Sequence, residues 1–551
     1  MGKMVDILIS VIGSPWQEYP KTFRWRMAKY GFSDDIECVD GKPDYVESRT
    51  TLAALHECLK PHYVIVVAQD TILVKNPEEL KGDYSYDDVI RDVENIVEEF
   101  LRRADMEVKR GDKYKVGSIY DEVGSKLSII VAPGSGRFRN SMCVGTRPVT
   151  VDLEVCGSLE DYYSYLLLSL ASHMLAIVER EGPLSQLKVH LDLSHGINYM
   201  PALTYKAVTD LLPVIAAYIG GGDVTVKLST YNSEPILEDG DISVIHRVEE
   251  LKVREGSNFG LIPSYEIPSQ CKPRSKPRLL KLNKYCAEKA GLNKVEELGR
   301  RIGSISGELV DRLNLDGGRL SAFAGSLANG LPLLLLETMP TTRLRDYVEQ
   351  VLCGYRRNVV VNYNVKDGNE VEVKMFRLAR LPRSTVAVAK LLLASEIIES
   401  RPELANIRYG DDGVSLRDLN RLVDIAFTWN KRLQRTTSHE LKSIETRVNY
   451  MRNQGELSVG EWIRYANVYT HEPKGSCELE GGEPESPMCE CNILGRGDEQ
   501  RHFLQHAGLH RCIVMVKVQD RDVWLKYDFE LCDKLRESVY EVACGGLVRT
   551  T

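Results

Sequence analysis

Three residues near the C-terminus have side chains of the type needed to cleave a phosphodiester bond. Arg501, His502 and His506 lie in one short segment that ends at Gly508. A guanidinium can hold a phosphate, and an imidazole can accept or donate a proton near neutral pH. The spacing alone is a weak signal, because an Arg and His pair on a surface helix is usually only solvated. Its interpretation therefore depends on the rest of the chain.

The residues around this segment predict a short helix. Asp498 is suited to the N-cap position, and Gly508 to the left-handed position that follows a helix. Residues four positions apart lie on one helix face, so His502 and His506 should be neighbours. The long Arg501 side chain can reach the same edge.

The composition is typical of a large soluble globular protein. The chain has 551 residues, of which 43% are hydrophobic and 27% charged, and a formal net charge of −8. This charge argues against a general basic surface, so any RNA site must be a local patch. The apolar run at residues 5–12 is short and no cleavage site follows it, which predicts a strand rather than a signal peptide. We expect a cytoplasmic protein without a membrane span.

Thirteen cysteines are scattered along the chain. In an intracellular protein most of them are expected to be reduced core residues. Cys477, Cys489 and Cys491 lie in an acidic stretch rich in Gly and Pro, where they could form a zinc site or belong to a flexible insertion. The lack of a C-x2-C pair favours the insertion. We predict no metal ligands, since the carboxylate sets of a two-metal nuclease are also not apparent.

Residues 1–250 alternate apolar β-branched runs with amphipathic helical patterns. This alternation predicts an α/β fold with a mostly parallel sheet that is covered on both faces. The predicted strands are residues 6–12, 63–68, 127–132, 187–193 and 224–228.

Small residues fill the loops after three of these strands. Parallel sheets bind ligands beyond the carboxyl ends of their strands, where backbone amides can approach an anion. One such loop is usually only a tight turn, but three at one edge predict a ligand site. For His195 a core or capping role without ligand contact stays open. The candidate residues are Gly13, Ser14 and Trp16 after the first strand, Gly134, Ser135 and Gly136 after the third, and Ser194, His195, Gly196, Asn198, Tyr199 and Met200 after the fourth.

The second half begins with a Pro-rich basic linker near 251–284 and is then dominated by helical periodicity. A β-hairpin is predicted around the Asp367-Gly368 turn, and a second hairpin follows the Arg–His segment. The first is bracketed by arginines that could guide RNA or form only a solvated rim: Arg356, Arg357, Arg377, Arg380 and Arg383. We expect an α/β domain at 1–250, a linker and helical connector at 251–330, and a mainly α-helical domain with β-hairpin insertions at 331–551.

Two segments together resemble one known family. With LDLSHGINYMP at residues 191–201 and RHFLQHAGL at residues 501–509, the chain is similar to the CRISPR-associated ribonucleases that join a CARF sensor domain to a HEPN nuclease domain, specifically the Csx-one branch. The order of the segments and the strand-turn-strand after the second also fit. The middle of the chain, about 240–440, matches only as generally helical. One departure is His502, because the residue after the motif arginine is commonly asparagine in this branch.

The resemblance implies a Rossmann-like CARF sensor that binds cyclic oligoadenylate, with the four-membered ring as the expected activator. Its contacts, carried over by position, come from the three loops named above. The resemblance also implies a HEPN domain that cleaves single-stranded RNA when the signal is bound, as part of type III CRISPR defence. CARF domains pair about a two-fold axis, which implies a homodimer or a larger assembly of dimers.

The expected reaction uses no metal or other cofactor. An RNA 2′-hydroxyl attacks the adjacent phosphorus and leaves a 2′,3′-cyclic phosphate and a 5′-hydroxyl, with His506 as the main acid/base. Arg501 neutralises charge on the phosphoryl oxygens, and His502 orients either group. Two motifs, one per subunit, would face one cleft. Two alternatives stay open: a nucleotide sensor without nuclease activity, and a nuclease that acts without any signal.

Overall fold

The computed structural model describes residues 2–80, 84–219, 224–236, 240–253, 276–366, 369–404, 406–428, 430–469, 493–495, 497–519, 521–530 and 534–549. Up to residue 253 the elements are β1 (Lys3–Val11), β2 (Trp16–Glu18), β3 (Thr22–Phe23), β4 (Ala28–Phe32), β5 (Tyr45–Ser48), α1 (Thr51–Leu59), β6 (Tyr63–Gln69), α2 (Tyr86–Arg103), β7 (Asp105–Arg110), β8 (Lys113–Ser118), α3 (Ile119–Val123), β9 (Leu127–Ala132), β10 (Gly136–Val144), β11 (Arg147–Cys156), α4 (Leu159–Glu181), β12 (Leu184–Asp192), α5 (Tyr199–Ile219), β13 (Thr225–Ser233) and β14 (Ile242–Val253).

From residue 276 onward helices predominate. The elements there are β15 (Lys281–Leu282), α6 (Lys284–Lys289), α7 (Val295–Arg312), α8 (Gly317–Asn329), α9 (Pro332–Thr338), α10 (Leu344–Arg356), β16 (Val359–Lys366), β17 (Glu370–Arg377), β18 (Ala379–Arg380), α11 (Arg383–Glu399), β19 (Val414–Ser415), α12 (Leu416–Ala426), α13 (Lys431–Asn453), β20 (Ile463–Arg464), α14 (Tyr465–Tyr469), α15 (Gly497–Gln505), β21 (Val514–Gln519), β22 (Asp522–Tyr527) and α16 (Leu535–Arg549).

A large twisted sheet dominates the first half. Its strand order is β8-β7-β5-β4-β14-β13-β12-β1-β6-β9, and the central strands β13, β12, β1, β6 and β9 run parallel. These five are the strands predicted from the sequence, and the one predicted at 127–132 has the observed bounds of β9. The expected α/β fold with a mostly parallel core is therefore confirmed.

Alternate residues of β1 face two different hydrophobic cores. Ile7 and Ile9 contact a core built with α4 and α5, whereas Leu8 lies in a core built with α1 and α2. This alternation follows from the two-residue period of a strand, and helices on both faces explain why the strand is almost continuously apolar. The first of these cores continues into the second half, where α10 and α11 pack against α4, and α11 also packs against α5.

The strands of the first predicted hairpin pair as β16 and β17, while Asp367 and Gly368 of its predicted turn lie outside the described residues. Strand β17 pairs in parallel with β11, giving a four-stranded sheet of order β10-β11-β17-β16. The hairpin therefore extends a sheet that begins in the first half. The second predicted hairpin forms as β21 and β22. The mainly helical second half with hairpin insertions is thus confirmed, while the boundaries at 250 and 330 stay predictions.

The expectation of mostly reduced cysteines is wrong for the part of the chain that the structure describes. Cys38 is bonded to Cys58 and Cys156 to Cys286, across Cα separations of 4.4 and 5.7 Å. Cys512 and Cys544 are disulfide-bonded as well, and Cys143 and Cys353 are free. Folding brings partners from distant segments within bonding reach, which spacing along the sequence does not reveal.

Within the same described ranges, every helix is too short or too polar to cross a lipid bilayer.

Candidate functional site

Helix α15 carries the predicted Arg–His segment. Phe503 is completely buried, while Arg501, His502 and His506 are exposed. The Gly508 N–H donates to the Phe503 carbonyl at 2.8 Å, which places Ala507, with φ +54°, at the C′ position and Gly508, with φ +75°, one residue beyond the predicted place. A Cβ at Gly508 would also lie 3.0 Å from the Tyr527 hydroxyl oxygen. Asp498 lies in the first turn of the helix and not at its N-cap.

A cleft of about 320 Å³ opens between α15 and α13. It collects four imidazoles and two guanidiniums around one space, a set suited to proton transfer beside a phosphate. Its charged and polar lining is formed by His439, Glu440, Ser443, Arg447, Tyr465, His502, His506, His510 and Arg511. Of these side chains, only His502 and His506 were predicted from the sequence.

His506 is paired with a carboxylate from the opposite wall of the cleft. Its Nδ1 lies 3.1 Å from a carboxylate oxygen of Glu440 on α13. The side chain of His506 is about half exposed, at 49%, whereas that of Glu440 is 23% exposed. The His502 ring lies edge-on to His506, with a centroid separation of 5.9 Å. The structure thus brings His502 and His506 together, as predicted, and adds a carboxylate that was not predicted.

A second imidazole–carboxylate pair lies at the same cleft. His510 Nε2 is 2.8 Å from Glu499, and the Cys512 N–H donates to His510 Nδ1 at 3.3 Å. Since Nδ1 accepts, Nε2 carries the proton and donates it to Glu499. Burial lowers the pKa of His510, and the hydrogen bond from His510 lowers the pKa of Glu499. The pair is therefore a neutral imidazole beside a charged carboxylate.

Arg501 is placed differently from the two histidines. It is exposed on α15 and does not line the cleft of its own chain. The cations that do line it, Arg447 on α13 and Arg511 after α15, were not predicted. Neither belongs to the segment with Arg501, His502 and His506, so the sequence offered no signal that they would line a site.

No group of three or more His, Cys, Asp or Glu side chains arranged to hold a metal occurs among the residues that the structure describes. Cys477, Cys489 and Cys491, with the acidic stretch around them, lie outside those residues. Metal independence stays a prediction.

At the edge of the large sheet, β1, β6, β9 and β12 end side by side. The loops after β1 and β12 approach closely, because a Cβ built on Gly13 would lie 3.5 Å from the Gly196 Cα. The Ser14 hydroxyl donates to the Trp16 carbonyl at 3.4 Å, while Gly136 and Asn198 are exposed. The three predicted loops thus occupy one edge, as the parallel topology requires.

Tyr199, the first residue of α5, connects two of these loops. Its hydroxyl accepts a hydrogen bond from Gln69 Nε2 at 2.9 Å and another from the Ser135 N–H at 3.2 Å. Gln69 is the last residue of β6, and Ser135 lies between β9 and β10. The side chain therefore fixes the position of the Gly134–Gly136 loop relative to α5.

His195 is held on its loop by packing and by hydrogen bonding. Its ring stacks on Trp25 with centroids 4.6 Å apart, and its Nε2 accepts the Thr51 N–H at 3.3 Å. Burial lowers its pKa, which favours the neutral ring. The loop itself begins with Ser194, whose N–H donates to the buried Asp192 carboxylate at 3.0 Å. The His195 ring thus makes a helix-capping contact, which is one of the roles that were left open for it.

Two predicted ligand contacts require correction. Trp16 is only 3% exposed, stacks on Phe23 at 4.5 Å, and donates its indole N–H to the Ile96 carbonyl. Met200 is completely buried in the core beneath the loop. Both side chains pack in the core under their loops, so neither is placed to contact a ligand.

Four of the five arginines around the first hairpin are held in ion pairs, whereas Arg357 is exposed and its role in guiding RNA stays a prediction. Arg377 is fully buried and forms an ion pair with Asp70. Arg380 and Arg383 both pair with Glu160, and Arg356 pairs with Asp87 at 3.0 Å. These cations are neutralised by carboxylates of the first half, which favours a role in joining the halves.

Two family models match the chain. The CARF domain of the CRISPR system endoribonuclease Csx1 matches residues 7–235, and the HEPN domain of the same family matches residues 430–529. The curated CRISPR system endoribonuclease Csx1 of Methanocaldococcus jannaschii is 25% identical over 472 residues, which cover 83% of this chain and 82% of the relative. The first match contains the sheet edge with its three loops, and the second contains both walls of the cleft.

Proposed function

Because the chain belongs to the CRISPR-associated endoribonucleases that join CARF and HEPN domains, we propose that it cleaves single-stranded RNA in the cleft between α13 and α15. Cleavage is switched on by a cyclic oligoadenylate at the edge of the large sheet. The observation that carries the proposal is the cleft itself, where His502, His506, Arg447 and Arg511 line one space of about 320 Å³.

The proposed chemistry is an internal transfer at phosphorus. His506 accepts the proton of an RNA 2′-hydroxyl as the bond from the 2′-oxygen to phosphorus forms. The bond from phosphorus to the 5′-oxygen breaks, and that oxygen takes up a proton. The products are a 2′,3′-cyclic phosphate and a 5′-hydroxyl. Proton transfer and charge neutralisation are supplied by imidazole and guanidinium, so the reaction needs no metal.

The guanidiniums stabilise the negative charge that grows on the phosphoryl oxygens. Arg447 and Arg511 are placed to do so from within the cleft. Arg501 reaches the phosphate from a second subunit, since it does not line the cleft of its own chain. His502 orients the phosphate or the His506 ring, because the two imidazoles lie edge to ring at 5.9 Å.

The proposed activator is cyclic tetra-adenylate, bound across two sheet edges related by a two-fold axis. A symmetric ring presents the same groups to each copy, which suits an isologous homodimer, alone or within a larger assembly of dimers. Backbone amides of the glycine-rich loops suit phosphate, and the exposed Asn198 suits a base or a ribose. Buried contacts link this edge to the second half of the chain, as α4 and α5 pack against α11.

One assay tests the proposal. Labelled single-stranded RNA is incubated with the protein in EDTA, with and without cyclic tetra-adenylate, beside His506→Ala. We expect cleavage only with the activator, products ending in 2′,3′-cyclic phosphate, and a loss of at least about 100-fold in His506→Ala. A metal requirement or full activity of His506→Ala would refute the mechanism. Equal cleavage without the activator would identify a constitutive nuclease, and activator binding without cleavage a regulator.

A further inference from the structure

Helix α13 presents a polar face to the cleft. His439, Glu440, Ser443 and Arg447 all line the cleft, and their spacing places them within about 100° of one another around the helix. The polar face cannot turn away from the cleft, because the neighbouring face of α13 is buried in the core. The buried residues are Thr437, Leu441, Ile444, Val448 and Met451.

The start of α13 is also fixed. The Asn430 side chain caps the helix by accepting the Leu433 N–H at 3.0 Å, and the Thr437 hydroxyl donates to the Gly330 carbonyl at 3.1 Å. A helix held by a cap and a buried stripe cannot rotate without losing both. The fold therefore sets the position of the Glu440 backbone relative to α15, within side-chain reach of His506.

We infer that Glu440 is a positioning residue for His506, an inference that rests on the proposed function. The carboxylate binds Nδ1 of the imidazole at 3.1 Å. With the proton on Nδ1 directed to Glu440, Nε2 is the nitrogen with a free lone pair, and it forms no hydrogen bond with the described residues. Glu440 thereby selects the tautomer and the ring orientation that let Nε2 accept the proton of the 2′-hydroxyl.

The carboxylate has a second effect during the reaction. When Nε2 takes up the proton, the ring becomes an imidazolium, whose positive charge the adjacent Glu440 stabilises. A carboxylate orients a general base in the same way in other hydrolases, where it holds one ring nitrogen and leaves the other to react. Here the carboxylate lies on α13 and the base directly follows α15 in the same chain, so the pair exists before a second subunit contributes any residue.

The competing explanation is an exposed ion pair with no role in the reaction. Such pairs contribute at most about 1 kcal/mol to stability, and their loss does not slow chemistry selectively. Glu445 provides the matched control, since it is an exposed carboxylate on α13 that lies on the side away from the cleft. Glu440→Ala, Glu440→Gln and Glu445→Ala should therefore be compared, with activator saturating.

We expect Glu440→Ala to lower kcat by about 10- to 100-fold with KM within about 2-fold of wild type. Glu440→Gln should fall between wild type and Glu440→Ala, because its amide oxygen can still accept from Nδ1 but carries no charge. Glu445→Ala should cleave at the wild-type rate. Thermal unfolding of all variants identifies any loss that is due to folding.

A double-variant experiment separates this inference from the proposed function. If Glu440 acts through His506, adding Glu440→Ala to His506→Ala causes no further loss of cleavage. A Glu440→Ala enzyme with wild-type kcat, or a further loss in the double variant, overturns the positioning role while the catalytic role of His506 stands. A His506→Ala enzyme with wild-type activity instead refutes the proposed function itself.

Discussion

The guanidinium of Arg377 forms a fully buried ion pair with the carboxylate of Asp70. Asp70 directly follows β6 at the edge of the large sheet, whereas Arg377 ends β17, 307 residues later in the chain. The same carboxylate accepts the Gly134 N–H at 2.8 Å and the Tyr86 hydroxyl at 2.6 Å. The ion pair therefore ties a loop of the proposed activator site to the second half of the chain.

Breaking this ion pair is expected to destabilise the protein strongly. Arg377→Gln leaves the Asp70 carboxylate buried without its cation, which should lower the free energy of unfolding by about 3 kcal/mol or more. Arg380→Gln is the matched control, because Arg380 pairs with Glu160 while about a third of each side chain is exposed. Its cost should be below about 1 kcal/mol. Urea unfolding of both variants measures the difference, and equal small costs would contradict the assigned role of Arg377.

Acid should destabilise the fold through His510. Burial lowers its pKa, so as the pH falls the unfolded chain binds a proton before the folded chain does. Stability is therefore lost below about pH 6.5, and the lowered pKa of Glu499 adds a further loss at more acidic pH. His510→Asn removes the imidazole, so its unfolding free energy should change less between pH 7.5 and pH 5.5 than that of wild type. An unchanged pH dependence in His510→Asn would show that other groups cause the acid sensitivity.

Local sequence patterns predicted the elements of the fold well, because each depends on short-range physics. The predicted strand at 127–132 matches β9, and the two strands predicted on either side of residues 367–368 pair as β16 and β17. The pairing of β17 with β11 was not predicted, since nothing near either strand specifies a partner 220 residues away. From the sequence alone Arg377 resembles a solvated charge, because its partner Asp70 is 307 residues away in the chain.

Only part of the candidate site was predicted from the sequence, because its residues come from segments that are far apart in the chain. His506 directly follows α15 and its N–H still donates to the His502 carbonyl, so the proximity of the two histidines follows from helix geometry. Glu440 belongs to a different helix, and only the packing of α13 against the segment after α15 brings its carboxylate to His506. Trp16 was assigned to the ligand because it follows a strand, but the fold uses its large ring to fill the core beneath the loop.

Loss of the Tyr199 hydroxyl is expected to weaken activation. In Tyr199→Phe, Gln69 and the Ser135 N–H each lose an acceptor, and each hydrogen bond is worth about 1 kcal/mol. We expect the cyclic tetra-adenylate concentration for half-maximal cleavage to rise by about 10-fold, with the rate at saturation unchanged. Tyr163→Phe serves as control, because it removes a tyrosine hydroxyl that donates to Asp210, which lies on α5 beyond the loops of the sheet edge. Equal shifts in both variants would argue against a role for the Ser135 loop in binding.

The position of Arg501 predicts that each nuclease site is assembled from two subunits. Arg501 does not line the cleft that contains His506 of the same chain. If each site combines Arg501 of one subunit with His506 of the other, Arg501→Ala and His506→Ala should each be inactive alone but active when co-expressed. Random pairing makes about half of the dimers mixed, and each mixed dimer keeps one complete site, so about a quarter of the wild-type rate should return.

The control for this experiment replaces the His506→Ala partner with the double variant Arg501→Ala/His506→Ala. A mixed dimer of Arg501→Ala with the double variant contains no Arg501 at all, so it should remain as inactive as Arg501→Ala alone. Cleavage of labelled single-stranded RNA with saturating activator measures all mixtures, and differently tagged subunits allow mixed dimers to be isolated. Recovery in the first mixture but not in the second places Arg501 across the subunit interface. If the first mixture stays inactive, Arg501 must act within its own chain, and a movement of α15 would then be needed to bring it to the phosphate.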